Sequence, residues 1–189
     1  MKKIMFNDKF GLTKSVLEGR KTQTRRIITD PDSTLIGIRR QILVLVHKIK
    51  NKEEINKDLS EFGSCYSPYK EGEIIAIAQS YKNCGRFDVY EAQKDTPGWT
   101  NKMFVRADLM PHRIKIERIR VERLQEISDE DCKREGIVEA YRGCYWLDGF
   151  YHTGTLPQIV YRELIDKISG KGTWDKNPFV FVYDFKLID

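Results

Sequence analysis

The sequence has no apolar run close to the ~20 residues that a membrane-spanning helix requires. After Met1-Lys2-Lys3, the polar stretch Asn7-Asp8-Lys9 interrupts the chain before a signal-peptide core can form. Those two absences set the expectation of a cytoplasmic protein with no membrane partner. Cysteine is scarce and patternless. Cys65, Cys84, Cys132 and Cys144 form no C-x-x-C, and His47, His112 and His152 lie at no ligand spacing from them. The expectation is no metal, no cofactor, and free thiols in a reducing compartment. Gly170-Lys171-Gly172-Thr173 lacks the upstream glycine of a phosphate-binding Walker loop. There is no internal repeat and no low-complexity tail.

What is present is a chain of 189 residues, 40% hydrophobic and 32% charged. That length reads as a single domain, 1–189, with insertions at about 30–66 and 138–156. A chain of this size buries roughly 70% of its unfolded surface, so it needs no disulfide or metal to hold together.

Apolar spacing gives the order of elements. Residues 8–18 read as a short helix, with Phe10, Thr13 and Leu17 on one face and Gly19 as a left-handed cap. Residues 21–28 read as extended, and Asp30-Pro31-Asp32-Ser33 as a turn. The β-branched run 41–49 predicts a strand. The charged stretch 50–63, with Ile55, Leu59 and Phe62 at helical spacing, predicts a surface insertion. The turn Pro68 to Gly72 leads into a buried strand over 73–81. Residues 82–102 read as a loop and 103–107 as a short extended piece. Residues 113–123 alternate, with a slip of phase at Arg118-Ile119 that predicts a bulge. Ser128-Asp129-Glu130-Asp131 opens a helix that Gly136 closes. Residues 143–155 show no clear period. Residues 157–168 predict a helix with Ile159, Val160, Leu164 and Ile168 on its apolar side. Phe179, Phe181, Tyr183, Phe185 and Leu187 alternate as a strand. Strands separated by a few short helices, without regular βαβ alternation, predict an α+β chain built on a small mixed or antiparallel barrel.

Charge is unevenly distributed. Eight of the 33 Lys/Arg but only two of the 28 Asp/Glu lie in residues 1–26, so the rest of the chain is nearly balanced. The cluster culminates in Gly19-Arg20-Lys21-Thr22-Gln23-Thr24-Arg25-Arg26, four cations around two threonine hydroxyls. Such a segment points to an anionic partner. Arg113, Lys115, Arg118, Arg120 and Arg123 form a second basic stripe, interrupted by Glu117 and Glu122 and read as the polar face of a strand.

Taken together, four pieces resemble the ASCH domain, a family of the PUA-like superfamily of small β-barrels. They are Gly19 to Arg26, matching G-[RK]-K-T-x-T-x-R; Glu71-Gly72-Glu73 before an apolar strand; Arg134-Glu135-Gly136 ending a short helix; and Trp174 to Phe185 at the last strand. They occur in the family's order over nearly the full length. The resemblance implies a small PUA-like β-barrel with two to four short flanking helices and loop insertions, whose relatives often bind RNA or nucleotides. It also implies, for one branch, an amidohydrolase acting on N4-acetylcytidine. Carried over by motif, that branch's active residues are Lys21, Thr24 and Glu135. The segments at about 30–66 and 138–156 are additions to that branch's pattern.

Three functions follow. In the first, the chain binds RNA or a modified nucleoside. Gly19, Arg20, Thr22, Arg25 and Arg26 contact the ligand, with Trp174 and Asn177 shaping a pocket rim, and a base stacks on Tyr81, Trp99, Tyr145 or Trp146. In the second, Thr24 attacks an N4-acyl group, Lys21 takes its proton and Glu135 serves the leaving amine. A regular strand points positions 21 and 24 to opposite faces, so this reading needs a break between them. In the third, the chain is an accessory protein of a phage or mobile element. Each site residue also has an ordinary account: Lys21 as a solvated cation or phosphate contact, Thr24 as a strand residue, Glu135 as a surface acid.

Overall fold

The computed structural model describes residues 1–29, 32–45, 47–49, 51–84, 90–141, 143–148 and 150–188. In chain order these hold β1 (Lys3–Ile4), α1 (Leu12–Leu17), β2 (Gln23–Ile27), α2 (Asp32–Leu45), α3 (Lys52–Ser64), β3 (Ile74–Ile77), β4 (Arg113–Arg123), α4 (Asp129–Arg134), β5 (Val138–Tyr141), β6 (Cys144–Leu147), β7 (Phe150–Gly154), α5 (Pro157–Ser169), α6 (Thr173–Lys176) and β8 (Phe179–Ile188). The fold is α+β. Five strands form a mixed sheet in the order β1-β3-β4-β8-β2, and β5-β6-β7 form a separate antiparallel sheet.

The alternating terminal segment is β8, flanked by β4 and β2. Its intervening residues are apolar too. Val180 and Val182 are as buried as Phe179, Phe181, Tyr183 and Phe185, so both faces are covered. The bulge expected near Arg118 is present, as a register shift between Ile116 and Arg118 against β8. β1 and β2 are the two edges of the sheet. Arg26 of β2 donates to the Met5 carbonyl just past β1, and its guanidinium lies 5.8 Å from the Phe6 ring. One cavity is lined from both edges, by Met5 and Phe6 after β1 and by Thr24 to Ile27 of β2.

Several expectations are corrected. The predicted strand 41–49 falls largely within α2, which ends at Leu45. Ile36 and Leu43, seven residues apart, are its buried positions. Burial at helical spacing overrides the local β-branched preference of Ile42 and Val44. Of the turn expected at 30–33, residues 30 and 31 lie outside the described residues, and Asp32 already belongs to α2. The stretch 50–63 is more than a surface addition: α3 buries Ile55 and Leu59 and packs on β4, where the Val121 amide donates to the Ser60 hydroxyl. Residues 8–18 divide into a 3₁₀ turn and α1, separated by Gly11 in the left-handed region. Of residues 103–107, Val105 and Arg106 are extended, and the others belong to the 3₁₀ turns on either side. The aperiodic stretch 143–155 supplies β6 and β7.

Candidate functional site

Lys21 is positioned from the main chain outward. Gly19, with φ at +71°, ends the first helical segment and reverses the chain. The Lys21 amide then donates to the Ser15 carbonyl at 3.0 Å, and the Thr22 amide to the Arg134 carbonyl at 2.9 Å. The second bond ties this segment to the end of α4. There the side chain of Ser128 caps the first turn, and Glu135 is followed by Gly136 at φ +103°. A β-carbon on Gly136 would sit 3.5 Å from the Lys21 and Ser15 β-carbons, so the two segments meet closely.

The outcome is a buried ion pair. Lys21 is 2% exposed and Glu135 4%. Lys21 Nζ pairs with Glu135 Oε2 and also donates to the Glu135 carbonyl at 3.0 Å. Burial pushes the Lys21 ammonium below its ordinary value. The Glu135 carboxylate offsets part of that, and the Arg26 and Arg25 guanidinium groups add to it. β2 begins only at Gln23, so strand alternation does not govern where Lys21 points relative to Thr24. Both line one cavity of about 400 Å³, together with Glu135, Arg26 and Tyr161. Its remaining wall is largely apolar, with Phe6, Leu12, Leu164, Ile165 and Val180. That volume falls at the small end of the range for small-molecule pockets. Among the described residues, no protein group hydrogen-bonds the Thr24 hydroxyl.

The remaining cations of the cluster are differently placed. Arg25 is buried, borders the same cavity and faces three carboxylates: Glu122 at 2.6 Å, Asp131 at 2.8 Å and Glu135 at 3.2 Å. It also donates to the Gln23 side chain, whose amide bonds Asp184 at 2.6 Å and Asp131 at 3.0 Å. Arg20 is at the surface, paired with Glu18 at 2.5 Å and within 3.7 Å of Asp148. Arg26 donates to a backbone carbonyl and lines the cavity. Gly19 and Thr22 serve the chain path and do not line it.

Trp174 and Asn177 do not line it either. Asn177 adopts a left-handed conformation after α6 and accepts a hydrogen bond from the Gln125 amide. Trp174 meets the Tyr161 ring edge-on, with centroids 6.3 Å apart. Of the aromatic residues considered for stacking, Tyr81 is enclosed in a small second core and accepts a hydrogen bond from the Arg106 amide. In the second basic stripe, Arg120 lies 3.4 Å from Asp131 and 3.7 Å from Asp184, and Arg123 covers the Phe179 ring.

The sequence reading missed Tyr161 and the acids around Arg25. On α5 it took Ile159 and Ile168 as core, and these are 40% and 38% exposed. The buried face is Pro157, Val160, Tyr161, Leu164 and Ile165. The i, i+3, i+4, i+7 spacing from Pro157 carried that signal. No comparable local signal joins Arg25 to Glu122 and Asp131, which lie about a hundred residues away.

Among the described residues, no helix is long and apolar enough to cross a membrane, and no group of three or more His, Cys, Asp or Glu is placed to hold a metal ion. Comparison of the chain with known protein families, with curated proteins and with solved structures finds no match.

Proposed function

We propose that the chain is an amidohydrolase on a PUA-like barrel of the ASCH type, cleaving the acyl amide of a modified nucleoside such as N4-acetylcytidine. The observation that carries this reading is the buried Lys21–Glu135 pair opening on the same cavity as the Thr24 hydroxyl. Three groups from two distant segments, one cation, one hydroxyl and one acid, are the parts that acyl transfer by a threonine requires. The apolar walls suit the ring of a base.

The chemistry balances within these residues. Transfer of a proton from Lys21 to Glu135 leaves a neutral amine and a carboxylic acid. Burial, which pushes the Lys21 ammonium below its ordinary value, favours release of that proton. Thr24 Oγ1 attacks the acyl carbon and gives its proton to Lys21. The carbon–nitrogen bond breaks, and Glu135 protonates the departing amine. Water then attacks the acyl-threonine, its proton passing to Glu135. Lys21 returns a proton to Thr24 as the ester bond breaks, and the acid leaves.

The phosphate-clamp reading receives less support. It calls on Arg20, Lys21, Arg25 and Arg26. Lys21 and Arg25 are buried in ion pairs, and Arg20 is bonded to Glu18. Arg26 is the member of that set left at the cavity without a carboxylate partner among the described residues. A neutral nucleoside fits these facts better than a polyanion.

The test is acetate release from N4-acetylcytidine by purified protein. The wild type should turn over, and Thr24→Ala should lose at least about a hundredfold in kcat with its circular dichroism unchanged. A wild-type protein that releases no acetate over hours at micromolar enzyme ends this reading.

A further inference from the structure

Tyr161 stands apart from the other buried tyrosines among the described residues. Tyr81 accepts from the Arg106 amide at 2.9 Å, Tyr183 bonds the Ser67 hydroxyl at 3.0 Å, and Tyr90 donates to the Leu109 carbonyl at 2.6 Å. A buried phenol ordinarily finds such a partner. Tyr161 is 2% exposed, yet no protein group among the described residues bonds its hydroxyl. Nor is that oxygen among the sealed, unsatisfied atoms of the core. The residue lines the cavity of Lys21, Thr24 and Glu135.

We infer that the Tyr161 hydroxyl is a ligand contact, the donor that holds the acyl oxygen of the bound amide as negative charge develops on it. This rests on the amide-cleaving reading of the cavity. Attack by Thr24 moves an electron pair onto that oxygen, and a positioned donor is the usual means of stabilising it. The cations nearby each already hold a protein partner. Lys21 donates to the carboxylate and carbonyl of Glu135. Arg25 is spent on Glu122, Asp131, Glu135 and Gln23. Arg26 is bonded to Met5. Tyr161 is a neutral donor whose proton is not yet used.

The scaffold suits that role. Tyr161 sits on the buried face of α5 between Val160 and Leu164, and the edge-on contact with Trp174 fixes its ring. Trp174, singled out in the sequence as a pocket residue, thereby acts on the cavity from one layer behind. Burial and the neighbouring Glu135 carboxylate hold the phenol well above its ordinary value, with Arg25 opposing, so the hydroxyl keeps its proton at neutral pH.

Tyr161→Phe tests the inference, since it keeps the ring and its packing and removes only the donor. With N4-acetylcytidine, kcat should fall about a hundredfold, with KM changed by less than about threefold and thermal unfolding preserved. Retention of kcat within about twofold would overturn the assignment while leaving the amidohydrolase reading intact. If the wild type releases no acetate, calorimetry decides instead. The wild type should then bind N4-acetylcytidine at least about fivefold more tightly than Tyr161→Phe, with cytidine affinity equal in the two. Equal affinities for N4-acetylcytidine, or no binding by the wild type, would overturn it.

Discussion

The Glu135 carboxylate is shared between two cations, with Oε2 on Lys21 Nζ and Oε1 3.2 Å from Arg25 Nη1. One acid from the end of α4 therefore locks both the segment before β2 and the interior of β2.

That arrangement makes the three residues unequal in stability. Glu135→Ala leaves Lys21 facing no carboxylate and Arg25 short of one, and should cost about 3–5 kcal/mol. Lys21→Met keeps the Arg25 contact of Glu135 and replaces a buried cation with an apolar side chain, so it should cost less than about 2 kcal/mol. Urea unfolding of the two variants decides. A smaller loss for Glu135→Ala than for Lys21→Met contradicts the shared-carboxylate description.

Acid should act through Asp131. Burial pushes its carboxyl up, but the Arg25 cation and the hydrogen bonds from Gln23 and Arg25 outweigh this, so the net direction is below the ordinary value of 3.8. An acid depressed in the folded state contributes stability above its unfolded value, near 3.9, and loses it as pH falls through the folded one. Asp131→Asn should therefore be less stable than wild type at neutral pH. The gap in Tm should close as pH drops below about 4. A gap that stays constant down to pH 2 would rule out ionised Asp131 as the source.

Two glycines, one in α2 and one in α3, report on packing. A β-carbon on Gly63 would lie 2.5 Å from Val121 Cγ2, whereas one on Gly37 would make an ordinary 3.7 Å contact with the Phe179 ring. Gly63→Ala should cost about 1–3 kcal/mol despite alanine's better helix propensity. Gly37→Ala should be neutral or stabilising by up to about 1 kcal/mol. If Gly63→Ala were as harmless as Gly37→Ala in thermal unfolding, α3 would not sit on β4 as described.

Local sequence was enough for the elements whose signal is self-contained. The alternation of 179–187, the phase slip near Arg118 and the Ser128 cap with Gly136 each act over a few residues, and each appears in the fold. The run ending at Leu45 misled because strand and helix preferences are weak for short apolar stretches, and packing on the core decided between them. β6 and β7 were invisible for the same reason, since their pairing with each other and with β5 supplies what their pattern lacks.

The inventory of the site is written along the chain: a basic, threonine-bearing segment near the start and an acid closing a short helix far along. How those charges are spent depends on the fold. Side chains 114 residues apart, Lys21 and Glu135, become an enclosed pair, and Arg25 becomes a structural cation. Composition counts charges, but desolvation and the distance to an opposite charge determine whether a cation faces a ligand or its own protein.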